Sequence, residues 1–167
     1  MNVKIKIKIF LLSVIIISCN DQNEPFFSSS DLHRLHLDKI DSFWQGDIVE
    51  PVSSTGVLFT SRDDYIWDKA FKNENNSKII IVTVFDSQSN AIEAMEYRID
   101  NVAISINEGE SNNLISEEWW YTYGTVFVNR WNTIIEVYYD HPNFDEIKDL
   151  LMETASLIAL RIDLLSK

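Results

Sequence analysis

The sequence predicts an α+β domain: a mainly antiparallel sheet packed by amphipathic helices in two layers. Three stretches carry that expectation. Residues 78–86, KIIIVTVFD, are β-branched and apolar on both faces, as a central strand requires. Residues 118–124, EWWYTYG, alternate as a strand, and residues 125–139 predict a hairpin that turns near Arg130–Asn132. Residues 143–165 place Ile147, Leu151, Thr154, Ile158, Ile162 and Leu165 on one helical stripe of about five turns, with Lys148 and Arg161 at its border.

The chain begins with a different kind of segment. Lys4, Lys6 and Lys8 precede an apolar run from Ile9 to Ile17 broken only by Ser13, and no acid occurs before Asp21. A basic start, a short apolar stretch and a small residue at Ser18 describe a secretory signal over residues 1–18. The run is too short to span a bilayer, which takes about 20 apolar residues.

Ile16-Ile17-Ser18-Cys19 resembles the lipobox of bacterial lipoproteins, with Ile where Leu is commonest. The resemblance implies cleavage before Cys19, diacylglycerol on its sulfur and acylation of the new amino terminus, commonly by palmitate. Two or three chains anchor stably because each buried methylene adds about 0.8 kcal/mol. The implied location is extracytoplasmic, on the cell membrane or outer membrane. Cys19 is the single cysteine, so no intramolecular disulfide can form and the core alone must stabilise the fold.

Losing residues 1–18 removes three lysines and no acid, so the formal charge moves from −12 to −15. Such a surface repels phosphate backbones and argues against nucleic-acid partners. Residues 19–30 read as a lipidated tether: NDQNEPFFSSS is polar, carries Pro25, and spans about 36 Å when extended. Phe26 and Phe27 within it either dock on the domain or lie near lipid. Residues 31–167 suit a single domain.

Ser30-Asp31 predicts the cap of a short helix carrying Leu32, Leu35 and Ile40, although LHRLHLDKI also alternates like a strand. Residues 57–60, VLFT, suit a strand. In SRDDYIWDKAF, Ser61 and Asp64 have capping-box spacing, with Tyr65, Trp67 and Phe71 available to a core. After residue 86 the period switches. Asn90 and Glu93 suggest a second cap, and Ala91, Met95, Ile99 and Val102 share one helical face. Asn143 and Glu146 suggest a third cap, opening the last helix.

The order IIIVTVFDSQSNAIEAMEYRI, WWYTYGTVFVNRWNTIIEVYY, IKDLLMETASLI resembles that of several groups of secreted bacterial lipoprotein domains over residues 57–165. The likeness lies in organisation. It supports the fold and transfers no site residue.

Catalytic signatures are missing from the sequence: no Gly-x-Ser-x-Gly, P-loop or dinucleotide fingerprint occurs. His33 and His36 are spaced i, i+3, but zinc needs three or four ligands and nothing nearby completes them. Glu117 and Glu118 are adjacent in an extended segment and point to opposite faces, which rules them out as a glycosidase dyad. No catalytic residue, metal or cofactor is therefore assigned. The aromatic set Trp119, Trp120, Tyr121, Tyr123, Trp131, Tyr138 and Tyr139 is the best functional lead, because exposed rings stack on sugars or grip proteins. Ordinary sheet packing is the competing account. Trp131, Trp120 and Tyr138 are the candidate partner-binding residues, and Trp131, at the hairpin tip, is expected to be exposed.

The functional expectation is a lipid-anchored envelope protein that binds another envelope protein or a glycan. The alternative is a carboxylate-dependent hydrolase of cell-surface polymers.

Overall fold

In the computed structural model the described residues are 25–52, 65–101, 107–108, 118–122 and 124–167. Cys19, the 57–60 segment, Ser61, Asp64, Val102, Glu117 and Tyr123 lie outside them. Two 3-10 turns, Ser29–Leu35 and Leu37–Lys39, lead into the one-turn helix α1, Asp41–Trp44. Then come strands β1 (Val49–Val52), β2 (Tyr65–Asn73) and β3 (Lys78–Phe85), and helix α2 (Gln88–Asn101). Strands β4 (Asn107–Glu108), β5 (Glu118–Thr122), β6 (Thr125–Arg130) and β7 (Thr133–Tyr139) precede helix α3, Phe144–Leu165.

The seven strands form one sheet in the order β1-β2-β3-β7-β6-β5-β4, and every pairing is antiparallel. After β3 the chain leaves through α2 to the far edge. It then returns strand by strand until β7 pairs with β3. Every residue of β3 is buried, as its β-branched run predicts.

The α+β expectation holds, but the helices do not share one layer. Side chains alternate across a strand, so Ile80, Val82, Val84, Val126, Val128, Ile135 and Val137 face one way. There they meet Ile147, Leu151, Ala155, Ile158 and Ile162 of α3 and the buried Leu32, Leu35, Leu37 and Phe43. Phe85, Phe127 and Ile134 face the other way, onto Ala91, Ala94 and Met95 of α2. The expected two-layer packing thus has helix on both sides of the sheet.

Three local expectations are corrected. Residues 65–73 form strand β2, not a helix after a Ser61–Asp64 cap. The helix α2 starts a turn early, since the Ser87 hydroxyl accepts from the Asn90 N–H at 3.1 Å. The 31–167 domain boundary also shifts: Phe27 is completely buried in the main core, so residues from Phe26 onward belong to the body.

The α3 start falls where expected, but the Asn143 amide donates to Glu146 Oε1 at 2.8 Å instead of capping backbone. Residues 29–35 form a 3-10 turn, with the Ser28 side chain accepting from the Ser30 N–H at 3.3 Å.

Candidate functional site at the chain-entry end

The β6–β7 hairpin turns on Trp131 and Asn132, and both residues are unusual. Trp131 has φ 52°, in the left-handed region where a bulky side chain is strained. It is half-buried against the main core, not exposed. Its indole Nε1–H donates to Asp163 Oδ1 at 2.8 Å. The same carboxylate accepts a two-pronged pair from Arg130, Nε to Oδ1 and NH2 to Oδ2, each at 2.6 Å. The Arg130 guanidinium also lies 4.5 Å from the Trp131 ring centroid, within cation–π range. Asp163 therefore holds the hairpin tip on the last turns of α3, and one side of the tryptophan is already occupied.

Asn132 is fully buried. Its Oδ1 accepts from the Phe27 N–H at 2.8 Å, and its Nδ2 donates to the Phe27 and Phe85 carbonyls at 3.0 and 2.8 Å. One residue earlier, the Phe26 N–H donates to the Lys167 carbonyl at 3.2 Å, and the Lys167 N–H donates back at 3.3 Å. The entering chain, the hairpin tip and the end of α3 meet at one end of the sheet.

The candidate aromatics do not converge there. Tyr138 sits near the other end of β7, seven positions on, or about 23 Å along the strand. It is half-buried, and burial first and Asp140 second push its phenol above the usual tyrosine range. Trp120 occupies β5 in register with Phe127, two strands from β7. The three positions thus lie on different parts of the sheet.

That opposite end carries a second polar cluster. Lys78 is buried, with Nζ 3.0 Å from Asp47 Oδ2, 3.4 Å from the Trp44 carbonyl oxygen and 5.0 Å from the Tyr139 ring centroid. The Asp47 carboxyl is held below its usual range, chiefly by the Lys78 hydrogen bond, with Asn73 assisting and partial burial opposing. Asn73 also takes the Lys78 N–H on its Oδ1 at 2.9 Å. This cluster ties α1 to the β2–β3 turn.

Asn132, Lys78 and Asn73 were not anticipated as buried. Asn132 does have a sequence cue, a polar residue in the two-residue turn between alternating strands. Its partners are 47 and 105 positions away, so nothing local points to them. Glu136 is likewise buried mid-strand, between Ile81 and Phe127 in register.

His33 Nδ1 lies 2.8 Å from the Ser30 carbonyl oxygen, and His36 adopts φ 46° between the two 3-10 turns. The pair is not on one helical face. Among the described residues no group of three His, Cys, Asp or Glu is placed to hold a metal ion. No helix among the described residues is long and apolar enough to cross a membrane.

Against known proteins, the chain matches no protein-family model, no curated protein and no solved structure.

Proposed function

We propose that this chain is a lipid-anchored protein of a bacterial envelope, attached through Cys19, that acts by binding an envelope protein or a glycan. The observation that carries the reading is the spacing between the lipobox-like Ile16-Ile17-Ser18-Cys19 and Phe26. Among the described residues, Phe26 is tied to the body by its backbone bonds to Lys167, and seven residue steps separate it from Cys19, at most about 25 Å of chain. An acidic body on so short a leash meets its partner close to the bilayer.

The Trp131–Arg130–Asp163 corner lies at the chain-entry end and is the favoured contact. It presents a half-buried ring backed by an ion pair, with the ring held by packing on one side. Such a ring is fixed before a partner arrives, which lowers the ordering cost of binding.

The test has two parts. Mass spectrometry of native protein reads whether Cys19 carries lipid and begins the chain. A photo-crosslinking amino acid at position 131, introduced in intact cells, reads what touches the corner. A lipid-bearing Cys19 and one reproducible envelope protein or glycan adduct are expected. An uncut chain with a free thiol overturns the anchor. Adducts with lipid alone, or none, overturn the binding corner.

A further inference from the structure

The outer side of α3 changes character along its length. Its first half exposes Asp145, Glu146, Asp149 and Glu153. Its second half exposes Leu160 and Leu164, at 56% and 76%, spaced i, i+4 and so on one side of the helix. The charges in that half are Arg161 and Asp163, the latter paired with Arg130, and Lys167 follows just beyond the helix. At 1.5 Å per residue, about 28 Å of helix separates Asp145 from Leu164 and about 10 Å separates Glu153 from Leu160.

The leucine half is the one beside the chain entry. Phe26, 42% exposed, is bonded through its backbone to Lys167, three residues after Leu164. The chain from Cys19 to this point can reach at most about 25 Å. It is shorter than a small domain is wide, about 30 Å. With the sulfur anchored, this end of the body stays nearest the bilayer. The acids at the start of α3 lie toward the opposite end of the helix from the chain entry.

Resting on lipidation of Cys19, we infer that Phe26, Leu160 and Leu164 form a lipid-contacting surface that seats the body on the membrane holding its anchor, with the Lys167 ammonium at headgroup level. The arrangement matches interfacial helices, whose apolar residues enter the boundary of the acyl region while cationic side chains stay with the headgroups. Three side chains offer far less than the roughly 800 Å² per partner of a stable protein interface, which disfavours a second copy as occupant.

The test uses the full lipidated chain in vesicles of phosphatidylethanolamine and phosphatidylglycerol. With the Cys19 sulfur blocked by lipid, a cysteine placed by Leu160→Cys, Leu164→Cys or Glu153→Cys is the one free thiol and takes an environment-sensitive fluorophore. Circular dichroism confirms that each variant keeps its fold. Labels at 160 and 164 are expected to shift to the blue and lose emission when the lipids carry brominated chains, while the label at 153 does neither. Labels at 160 and 164 that stay unquenched overturn the docking; a blue shift without quenching would identify protein as the occupant instead. Mass spectrometry of the same samples separates the two failures. A free Cys19 thiol removes the anchor and the docking together, whereas lipid on Cys19 with an unquenched Leu164 label removes the docking alone.

Discussion

The side-chain amide of Asn132 substitutes for a neighbouring strand along Phe27, accepting that residue's N–H and donating to its carbonyl across 105 positions of sequence. Its second amide proton goes to Phe85 at the end of β3, whose own N–H donates to the Asn132 carbonyl at 2.8 Å. One buried amide thus joins the entering chain, the hairpin turn and the central strand.

Asn132→Ala strands three backbone groups, each costing about 1–3 kcal/mol when buried and unpaired. A loss of at least about 3 kcal/mol is expected by urea unfolding. Proteolysis should begin near Phe26–Phe27 in the variant and not in the parent. A loss below about 1 kcal/mol would mean that water replaces the amide without penalty.

The strain at Trp131 gives a comparison of two variants. Both Trp131→Ala and Trp131→Gly lose the indole and its bond to Asp163. Alanine also retains the cost of the left-handed backbone, whereas glycine does not. Trp131→Gly should therefore be the more stable of the two by about 1 kcal/mol. Equal urea midpoints would show that the turn relaxes once the ring is gone.

Gly124, between β5 and β6, has φ +69°, and a Cβ there would sit 2.6 Å from the Tyr139 carbonyl oxygen. That oxygen belongs to the strand whose N–H bonds Gly124 O, so neither backbone can retreat freely. Gly124→Ala should cost about 2 kcal/mol or more, through both the conformation and the clash. Thermal unfolding is the measurement.

The Asp47–Lys78 contact predicts an acid dependence. A carboxyl whose folded pKa lies below its unfolded value of about 4 stabilises the fold above that value. The contribution disappears as pH falls through the folded pKa. Asp47→Asn should therefore flatten the loss of stability between neutral pH and pH 3, read by urea unfolding at both. An unchanged acid slope would place the sensitivity on other carboxylates.

Tyr138 predicts the opposite limb. Its folded pKa is raised by burial and by Asp140, so the stabilising, protonated phenol is intact below its unfolded pKa of about 10. Stability should fall as pH rises through the folded value. Tyr138→Phe should remove that share of the alkaline loss, and ultraviolet titration of the phenols should show one fewer late-titrating group.

The α3 stripe was legible because Ile147, Leu151, Thr154, Ile158 and Ile162 follow the helical period, and all five are buried. The β3 run and the hairpin turn were legible for the same reason, since period and turn are local properties. Ser61 and Asp64 have capping-box spacing, yet residues 65–73 form a strand, because YIWDKAF keeps no clear period of its own and its pairing with β3 decides its conformation. Trp131 was misjudged because a hairpin tip is normally exposed. Nothing in the local sequence announces that Asp163, 32 positions later, will return beside it.

By itself the sequence determined the charge, the lipobox-like start and the elements whose periodicity is short-range. Those depend on residues within a few positions of one another. The tertiary structure decided which sheet face each helix covers, that Phe26 and Phe27 belong to the body, and that the chain entry, Asn132, Trp131 and the leucines of α3 gather at one end. Such proximity arises from strand order and from buried hydrogen bonds that close over a hundred residues, and no short-range pattern encodes them.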